Sequence, residues 1–597
     1  MARKVTTAPS LRALNPDFPF DYASWLSNGK EQGLGTIPDT PRKPDTHHEG
    51  TPENCDVAIV GAGTAGIVAA YELARMGLRP QVFEPGEVGG RLRSVRMGAD
   101  EGSHLVAELG GMRFPSSGQA FYHYVDELEL ATEPFPNPGT PAARRTVIDL
   151  ESSHEPEVMR QDSDRADNYQ QISEAWDHAL EHVGKDHIQE LMKAGNTAEL
   201  QKVWSDLVER WDDKSFWNFL VQCCDLTPDQ RETFGQVGFG TGGWDSDFPN
   251  TMLEIFRVVF SAFEDDQCYI VGGAQQVPQG LWRKPIPIHN GESMADMHGG
   301  APRPGVRKIC PTGDQDHPFR VVDEWGTARD FRCVLLTPQT WLYRAALDVD
   351  DQLFSAEMWP AFERTNYMSS SKAIVMLDRA FWNDPEYLEE NEKLPFSMTV
   401  TDRSTRATYL IEGSDPDGPA IVILSYAWES DAQKVLPLNS SDRVERALDT
   451  LEKIYGEETI QRLRESIIGE PVTVSWSADP YFLGAFKGAL PGHYEYNRRM
   501  FSHFFQRDSK KEDGGMTGIF VAGDGISFTP AWAEGAVQTA LNAVWGIMKH
   551  LEGSSHNNNP GPGDQWEQLK PRERTYAPRP TTPDCCQQDA APSTVPR

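Results

Sequence analysis

Apolar and polar positions follow two different periods along the chain, and each change of period marks a predicted element. Over 56–130, four consecutive apolar residues precede a glycine-rich turn. Apolar positions then recur every three to four residues, before a second short apolar run. A short unbroken apolar run is typical of a buried strand, whereas the longer spacing is typical of an amphipathic helix. This segment therefore predicts strand, turn, helix and strand.

The stretch 165–236 carries only the helical period. Its first apolar stripe consists of Tyr169, Ile172, Trp176, Ala179, Leu180 and Val183. Near its end, Thr227 followed by Pro228 predicts a helix start, because threonine caps free N–H groups and proline suits the first helical position. We therefore predict a helical region between the first strands and the second half of the chain.

Strand-like runs return later, and both ends of the chain lack any period. The runs lie at 319–322, 334–337, 420–428 and 518–522, the last followed near Gly535 by a helix. Residues 1–54 are rich in Pro, Thr and His and predict an extended arm. Residues 555–597 have a composition that predicts a mobile tail, or a strap lying on another subunit.

Composition narrows the class of protein. With 597 residues the chain exceeds the roughly 250–300 residues that one core supports, so we expect at least two domains. The net charge of −33 argues against nucleic acid and anionic lipid as partners and favours cationic small molecules. We expect no membrane span and no secretory signal, since no apolar run is long enough. The eight cysteines form no C-x-x-C pair, which predicts reduced thiols in a cytoplasmic protein.

A glycine-rich fingerprint gives the strongest chemical signal. Gly61 permits a tight turn, Gly63 lets a pyrophosphate approach the backbone, and Gly66 lets helix and strand pack closely. The helix N-terminus supplies N–H groups for phosphates. Glu84 ends the next strand at the distance where a carboxylate binds a ribose hydroxyl. The sequence predicts a dinucleotide held by Gly61, Ala62, Gly63, Thr64, Ala65, Gly66 and Glu84.

Three further motifs favour FAD over NAD. They read GGRLR at 89–93, ELGGMRFP at 108–115 and AGDG at 522–525. Asp524 offers a carboxylate to a sugar-alcohol chain, and the helix at Gly535 offers N–H groups to a reduced ring, for which a nicotinamide enzyme has no use. The further predicted cofactor residues are Gly89, Gly90, Arg91, Gly110, Gly111, Met112, Arg113, Gly523, Asp524, Gly535, Ala536 and Val537.

Taken together, these motifs and the stretch from Trp476 to Ala485 resemble the flavin-dependent amine oxidase family over about residues 55–550. That family includes monoamine oxidases, L-amino acid oxidases and tryptophan 2-monooxygenases. The segments FGQVGFGTGGWDSDFPN and SWSADPYFLGAFKGALPGHY look closer to the bacterial L-lysine oxidase/monooxygenase and L-arginine oxidase branch.

The resemblance implies roles for particular residues. Arg113 matches the arginine that clamps the substrate carboxylate, and Tyr426 matches the tyrosine that shares this task. Lys372 matches the lysine that holds a water near flavin N5, and Val306 matches the valine whose backbone meets the adenine. The remaining implied substrate residues are Trp428, Ala531 and Trp532, the last facing the substrate at the flavin. No cysteine lies between Cys333 and Cys585, so the FAD is expected to be non-covalent.

Two acids are candidates for a cationic substrate side chain. Asp247 lies in an apolar, turn-rich segment, and Glu264 lies in AFEDDQC. Each has an alternative interpretation: Asp247 as the cap of the following helix, and Glu264 as part of a solvated acidic loop. Arg113 could instead be an ion-pair partner, Lys372 a surface lysine, and the site aromatics core residues.

One motif points elsewhere. His178, Glu181 and His182 fit the H-x-x-E-H pattern of zinc peptidases on a helix. That helix already has an apolar stripe, and no third ligand follows, so we predict no metal site.

We predict an α/β protein with a Rossmann-type FAD-binding domain, a mixed-sheet substrate domain and a helical insertion. The predicted segments are an N-terminal arm (1–54), an FAD domain (55–125, 271–345 and 511–554), a substrate domain (126–159, 237–270 and 346–510), a helical domain (160–236) and a mobile tail (555–597).

The resemblance implies oxidation of a basic L-amino acid, arginine or lysine, to the 2-oxo acid and ammonia, while O2 is reduced to H2O2. We expect the protein to form a homo-oligomer. Three alternatives stay open: a 2-monooxygenase that yields an amide from lysine or an aromatic amino acid, an oxidase that prefers aromatic substrates, and a flavin-holding scaffold without activity.

Overall fold

The structure is a computed structural model, and it describes residues 14–38, 56–98, 105–151, 155–160, 167–237, 245, 248–413, 415, 417–506 and 514–574. Asp247 lies outside the described residues. Within these ranges no helix is both long and apolar enough to cross a membrane. The mixture of helices, one parallel sheet and one mixed sheet confirms the predicted fold class.

The helices are α1 (Tyr22–Asn28), α2 (Thr64–Arg75), α3 (Gln119–Glu127), α4 (Asp167–His182), α5 (Lys185–Ala194), α6 (Thr197–Trp211), α7 (Phe216–Cys223), α8 (Pro228–Val237), α9 (Met252–Phe260), α10 (Gln276–Arg283), α11 (Met294–His298), α12 (Leu342–Ala345), α13 (Met358–Glu363), α14 (Pro385–Glu390), α15 (Glu429–Lys434), α16 (Ser440–Tyr455), α17 (Glu457–Ser466), α18 (Tyr494–Ser502), α19 (Ala533–His550) and α20 (Trp566–Leu569).

The strands are β1 (Gly35–Thr36), β2 (Val57–Val60), β3 (Gln81–Phe83), β4 (Ser94–Arg96), β5 (Val106–Glu108), β6 (Phe114–Pro115), β7 (Thr132–Pro134), β8 (Arg145–Asp149), β9 (Glu157–Arg160), β10 (Gln267–Ile270), β11 (Val306–Pro311), β12 (Phe319–Asp323), β13 (Ala328–Phe331), β14 (Cys333–Leu336), β15 (Ser370–Leu377), β16 (Met398–Thr401), β17 (Ala407–Glu412), β18 (Ala420–Trp428), β19 (Ile467–Ser475), β20 (Ile519–Val521) and β21 (Ser554–Ser555).

A parallel sheet of four strands, in the order β20-β14-β2-β3, carries the glycine fingerprint. Every residue of β2 is buried, which explains its unbroken apolar run, because helices cover both faces of a parallel sheet. Helix α2 follows the glycine turn and packs against α19. These strands come from all three segments of the predicted FAD domain, whose boundaries stay a prediction.

A mixed sheet of seven strands, in the order β19-β15-β18-β17-β16-β8-β9, forms the other large layer. Its neighbours are antiparallel except for β16 and β8. Lys372 on β15 lies directly opposite Tyr426 on β18. Because opposed residues of antiparallel strands share a face, the sheet brings two residues of the predicted site together.

The predicted helical region is confirmed as helices α4 to α8. Ile172 and Trp176 of the predicted stripe are buried, and the Trp176 ring packs against Phe219. The predicted start of α8 is also confirmed, since the backbone N–H of Gln230 donates to Thr227 Oγ1 over 3.2 Å. His178, Glu181 and His182 are exposed on α4.

The N-terminal residues 14–38 differ from the predicted extended arm, because they pack into the main core. The segment buries Leu14, Phe18, Phe20, Tyr22, Trp25, Leu26 and Leu34. Asp17 forms a buried ion pair with Arg257 on α9, at 2.6 Å between Oδ2 and Nε. The lack of a regular period hid this segment, since its aromatic side chains anchor irregular backbone rather than one face of a helix.

Residues 555–574 likewise differ from the predicted mobile tail. Strand β21 pairs with β1, and Leu569 is buried in the main core. Gln201 Nε2 donates to the Leu569 carbonyl over 2.6 Å, and Arg574 pairs with Asp212. Average composition concealed the few apolar residues that anchor the segment to the same chain. The rest of the predicted tail lies outside the described residues.

Candidate active site

One cavity of about 510 Å³ extends from the glycine turn to the mixed sheet and α9. Its cofactor end is lined by Gly61, Gly63 and Gly90, and its substrate end by Arg113, Lys372, Tyr426, Trp428, Glu254 and Glu264. The cavity therefore joins most of the residues that the sequence singled out.

At the cofactor end, glycine is required by close backbone packing. A Cβ on Gly66 would stand 2.0 Å from the Gly61 carbonyl oxygen, and a Cβ on Gly110 would stand 1.6 Å from that of Arg91. A Cβ on Gly90 would stand 2.9 Å from the Cα of Gly63, which itself lines the cavity. The turn thus presents bare backbone to the cavity at the N-terminus of α2, as a bound pyrophosphate requires.

Glu84 lines the cavity and also hydrogen-bonds to the backbone of the glycine turn. Its Oε2 accepts the N–H of Ala62 over 2.8 Å, and its Oε1 accepts the N–H of Gly86 over 3.0 Å. Burial raises the pKa of Glu84, and these two hydrogen bonds oppose the rise. The carboxylate is therefore fixed beside the turn, where a ribose hydroxyl would reach it.

Asp524 is held by a side chain from a distant segment and by a backbone N–H of its own loop. Arg91 pairs with its carboxylate, and the N–H of Ala531 donates to Oδ2 over 3.2 Å. Ala531 has φ of 71°, a left-handed conformation that costs energy for a residue with a Cβ. These contacts fix the loop before α19 against the cofactor end of the cavity.

The cavity brings together most of the predicted cofactor and substrate residues. Those that line it are Gly61, Gly63, Thr64, Ala65, Glu84, Gly90, Arg91, Gly110, Gly111, Met112, Arg113, Glu264, Val306, Lys372, Tyr426, Trp428, Gly523, Asp524, Ala531, Trp532 and Ala536.

Five predicted cofactor residues do not line the cavity: Ala62, Gly66, Gly89, Gly535 and Val537. Gly535 serves packing, because a Cβ there would stand 2.4 Å from Ser527 Oγ. Helix α19 begins at Ala533, two residues before the predicted start, so Ala536 faces the cavity and Val537 is fully buried.

Arg113 is oriented by uncharged oxygen atoms. Its Nη1 donates to Asn137 Oδ1 over 3.2 Å and to the hydroxyl of Tyr409 over 3.4 Å. Its Cζ lies 5.9 Å from the centre of the Tyr426 ring. Asn137 in turn donates to Gln267 Oε1 over 2.8 Å, so a polar chain ties the guanidinium to β10. Asn137, Gln267 and Tyr409 were not predicted, since no local pattern marks them.

Lys372 is buried, and its ammonium group contacts the backbone that forms the cavity wall. Its Nζ donates to the carbonyls of Glu108 over 2.9 Å and Gly110 over 2.6 Å, and lies 4.8 Å from the centre of the Tyr426 ring. Burial lowers the pKa of Lys372, and the Arg113 charge lowers it further, whereas Glu108 opposes both. Lys372 is therefore not a surface lysine.

Glu108 is the buried counter-charge of Lys372. Its carboxylate accepts the N–H of Ala274 over 2.6 Å and the hydroxyl of Ser94 over 2.8 Å. Burial raises the pKa of Glu108, and these hydrogen bonds and Lys372 oppose the rise. Glu108 was not among the predicted site residues, although it lies in the motif ELGGMRFP.

Aromatic rings form the walls around these polar groups. Trp428 packs edge-on against Tyr426 and Phe486, each with ring centres 5.3 Å apart, and Trp532 packs against Phe263 at the same distance. Trp476 and Phe486 also line the cavity, and the sequence interpretation missed them as site residues. The available signal was the family stretch from Trp476 to Ala485, which begins with Trp476 and which Phe486 directly follows.

Of the two acids predicted to bind a cationic side chain, only Glu264 is described by the structure. Glu264 lines the cavity, although it stands in the turn after α9, where it is half-buried and followed by the exposed Asp265 and Asp266. Burial and the neighbouring Asp265 raise the pKa of Glu264 to about 8, while Lys185 and Arg113 oppose the rise. Asp245, the described neighbour of Asp247, is 53% exposed in its side chain and pairs with Arg406 over 2.8 Å.

Two further polar residues of the cavity, Asn250 and Glu254, were missed. Glu254 Oε2 accepts the N–H of Ala489 over 2.6 Å, and burial raises its pKa against the opposing charges of Lys487 and Arg257. A glutamate inside the otherwise apolar run MLEIFRVVF was the signal that could have identified it.

No group of three His, Cys, Asp or Glu side chains suited to a metal ion occurs among the described residues.

Sequence comparison places the chain among flavoenzymes. The profile of flavin containing amine oxidoreductases matches residues 64–548. Tryptophan 2-monooxygenase of Pantoea agglomerans pv. gypsophilae is 28% identical over 578 residues, covering 91% of this chain and 95% of that protein. An L-amino-acid oxidase of Siganus canaliculatus is 24% identical over 543 residues, covering 85% and 88%.

Solved structures share the fold. Cyclohexylamine oxidase from Brevibacterium oxydans IH-35A superimposes with a TM-score of 0.59 at 18% identity, over 84% of this chain and 100% of that one. Putrescine oxidase bound to putrescine gives a TM-score of 0.57 at 18% identity, over 83% and 99%. At this identity the likeness concerns the fold alone.

Proposed function

The chain belongs to the flavin-containing amine oxidoreductase family, and from that premise we propose that it binds FAD without a covalent bond and oxidises a basic L-amino acid. The substrate is arginine or lysine, and the products are the 2-oxo acid, ammonia and H2O2. The observation that carries the proposal is the meeting of Arg113, Lys372 and Tyr426 on the wall of a cavity that continues to the glycine turn.

The guanidinium of Arg113 suits the substrate carboxylate. A planar guanidinium binds a carboxylate through two parallel hydrogen bonds, which fixes position and direction together. Asn137 and Tyr409 orient that guanidinium, and Tyr426 lies beside it on β18. An amino acid held in this way keeps its α-carbon in one orientation, and correct orientation is the largest demand of this reaction.

FAD, when bound, supplies the acceptor for the hydride that leaves the α-carbon. The residues suited to hold it are Gly61 and Gly63 at the pyrophosphate, Glu84 at the ribose and Asp524 at the sugar-alcohol chain. We assign to Lys372 the water near the flavin that the family resemblance implies, and Trp428, Trp532 and Phe486 line the same wall and exclude bulk water from it. No further protein base is needed when the substrate amine is neutral.

Glu264 is the described carboxyl that we propose for the substrate's cationic side chain. It shares the cavity with Arg113, so one amino acid could contact both, its carboxylate at Arg113 and its cation at Glu264. A cation would also offset the cost of burying this carboxylate. Asp247 stays a proposed second acid outside the described residues.

A 2-monooxygenase outcome is the second candidate. The similarity to tryptophan 2-monooxygenases over most of the chain favours it, and so do the many aromatic rings of the cavity. In that case the H2O2 formed from O2 oxidises the imine in place: the imine gains one oxygen atom, its carboxylate leaves as CO2, and the products are an amide and water.

A panel of the twenty L-amino acids separates these candidates. Oxygen consumption and peroxide release would both be measured for each, with the product identified by mass spectrometry. We expect the highest kcat/KM for arginine or lysine, with a 2-oxo acid as product. An amide product would establish the monooxygenase, and preference for tryptophan would overturn the basic-substrate assignment.

Two further parts of the proposal need separate tests. None of the described cysteines lines the cavity, so acid precipitation should release yellow FAD into the supernatant. Colour retained in the precipitate would contradict non-covalent binding. We also propose a homo-oligomer, which the molar mass from light scattering would test.

A further inference from the structure

A second cavity, of about 250 Å³, lies between the mixed sheet and strands β7 and β10. Its wall consists mainly of parts of β7, β8, β10 and β17 and of the segments 142–144, 382–383 and 396–397. No described residue lines both this second cavity and the cavity that contains Arg113, the active-site cavity. Its volume is below the roughly 300–1,000 Å³ of pockets for drug-sized ligands, so it suits a smaller molecule.

The segment 134–137 separates the two cavities. Pro134 and Pro136 line the second cavity. Their neighbours face Arg113: the centre of the Phe135 ring lies 5.5 Å from its Cζ, and Asn137 Oδ1 accepts from its Nη1 over 3.2 Å. This alternation is typical of an extended chain. The same segment therefore forms the wall of the second cavity and holds the guanidinium of the active site.

Strands β17 and β10 show a similar arrangement. On β17, the hydroxyl of Tyr409 contacts Arg113, and residues 410–412 line the second cavity. On β10, Gln267 accepts a hydrogen bond from the asparagine that orients this guanidinium, and Tyr269 lines the second cavity. Three segments thus connect the wall of the second cavity to the orientation of Arg113 through direct contacts.

Two charges at the second cavity neutralise each other. The Glu412 carboxylate pairs with Arg144 over 2.9 Å, measured between Oε2 and Nη2. Its Oε1 accepts from Trp382 Nε1 over 3.1 Å and from Asn383 Nδ2 over 2.9 Å. This ion pair therefore needs no ligand.

Two other charged residues of the same wall, Glu133 and Arg145, have no oppositely charged partner within the described ranges. Glu133 is exposed, and its Oε2 accepts the uncharged hydroxyl of Tyr269. Arg145 is partly buried and forms no hydrogen bond in the described part of the chain. None of its nitrogens is a buried atom that lacks a hydrogen bond, so these nitrogens are accessible. A charge that is partly removed from water is stabilised by a counter-charge. Because both residues line one small cavity, a single molecule that fills it contacts both.

We propose that the second cavity binds a free amino acid as its zwitterion, with the carboxylate at Arg145 and the ammonium group at Glu133. A guanidinium binds a carboxylate through two parallel hydrogen bonds, and a carboxylate accepts charge-assisted hydrogen bonds from an ammonium group. The inference goes beyond the proposed function, because this site lies outside the cavity that suits FAD and substrate. Since three of its wall segments hold Arg113, an amino acid in the second cavity changes the affinity of the active site for the substrate carboxylate, and the effect is reciprocal.

Equilibrium dialysis under anaerobic conditions tests the site. The protein is the FAD-loaded Arg113→Ala variant, in which the active site has lost its clamp for a carboxylate. The probes are norleucine, whose side chain is uncharged, 2-oxohexanoate, which lacks the ammonium group, and pentylamine, which lacks the carboxylate. We expect one norleucine per chain and about tenfold weaker binding of the other two probes, because each of them loses one charge-assisted contact.

Substitutions on the wall locate this binding. Arg145→Gln and Glu133→Gln, each added to Arg113→Ala, should weaken norleucine binding about tenfold or more. Arg320→Gln is the matched control, since Arg320 is also partly buried but pairs with Asp330 and lines neither cavity. It should leave norleucine binding unchanged. Flavin absorbance and Tm identify variants that fail to fold. In that case Arg145→Lys decides, because it keeps the charge without the paired donors and should lose part of the affinity.

Norleucine binding that survives Arg145→Gln and Glu133→Gln unchanged would overturn the inference, and so would the absence of norleucine binding. The proposed function fails separately, since the panel of amino acids decides it through products, whereas dialysis requires no turnover.

Steady-state kinetics with intact Arg113 test the connection between the two cavities. In the wild type, the dependence of rate on amino-acid concentration should depart from a single hyperbola, because the amino acid occupies two connected sites. In Arg145→Gln it should follow a single hyperbola. A single hyperbola in the wild type would overturn the connection to Arg113.

Discussion

The two ends of the cavity are built in different ways. The cofactor end is a surface of backbone: Gly61, Gly63 and Gly90 meet there because a Cβ at Gly66 or Gly90 would collide with neighbouring main-chain atoms. The substrate end is a surface of side chains from the mixed sheet, from α9 and from the segments that precede and follow α9, which include Lys372, Tyr426, Asn250 and Glu264.

This difference determines how each end tolerates change. A backbone surface depends on glycine alone and binds any ligand with the right phosphate geometry. A side-chain surface can change its substrate by one replacement without moving the chain. We therefore expect the two ends to be separable. Substitutions at the substrate end should alter turnover without loss of FAD, and substitutions at the cofactor end should weaken FAD binding without changing substrate preference.

The largest effect is expected from Arg113→Ala. Loss of two charge-assisted hydrogen bonds in a poorly solvated site should lower kcat/KM by roughly 3–5 kcal/mol, or about a thousandfold. Steady-state peroxide assays would measure the loss, and FAD absorbance should show normal cofactor content.

Arg113→Lys is the conservative control, since it keeps the charge but not the planar pair of donors. It should recover only part of the activity. Wild-type kinetics in this variant would remove Arg113 from substrate binding, and loss of FAD in Arg113→Ala would mean that the two ends are not separable.

Lys372→Met should have the second-largest effect, about a hundredfold lower rate in anaerobic single-turnover reduction, because the water that we assign to Lys372 at the reacting end is lost. The carbonyls of Glu108 and Gly110 would also lose their shared donor, so Tm should fall. Lys372→Arg preserves the charge and should keep more of the Tm than of the rate. An unchanged rate in Lys372→Met would restrict Lys372 to a structural role.

The sequence predicted the cofactor end far better than the substrate end, for a physical reason. A backbone surface is encoded locally, since the spacing of Gly61, Gly63 and Gly66 already contains its geometry. Asn137 contacts Arg113, and Asn250 lines the cavity, only because the folded chain brings them there, and no local pattern marks either residue. For Glu254 the one local signal was a glutamate within an apolar run. Arg113, Lys372 and Tyr426 were identified through family resemblance, not through spacing. The packing of residues 14–38 and 555–574 was not predicted, because their buried side chains do not recur at a helix or strand period.

At the cofactor end, Glu84→Gln should weaken FAD binding by about 1.5–3 kcal/mol, because the neutral amide offers one oxygen in place of the two charged acceptors that Ala62, Gly86 and a ribose hydroxyl would use. Titration of apoprotein with FAD would measure the change. At saturating FAD, the ratio of kcat/KM between arginine and norleucine should equal that of the wild type. A changed ratio would show that the glycine turn reaches the substrate end, and unchanged FAD affinity would mean that Glu84 does not contact the cofactor.

The smallest effect is a pH dependence at the substrate end, which arises from Glu264. Burial and Asp265 raise its pKa to about 8, and the groups that oppose the rise are Lys185 on α5 and Arg113. Before substrate binds, the Glu264 carboxyl is therefore mostly protonated at neutral pH and becomes charged as the pH rises through 8. A cationic side chain binds the charged form better, so its kcat/KM should increase over this range.

Using the ratio of arginine to norleucine removes the titration of Lys372 and of the substrate amine, which affect both substrates alike. We expect that ratio to rise about tenfold between pH 7 and 9 in the wild type, since one ion pair in a partly solvated site is gained. In Glu264→Gln, the ratio should be low and flat with pH, because no charge develops at that position. Norleucine itself should keep its wild-type pH profile in this variant. A ratio that still rises in Glu264→Gln would assign the selecting charge to another acid, with Glu254 as the next described candidate on the cavity wall.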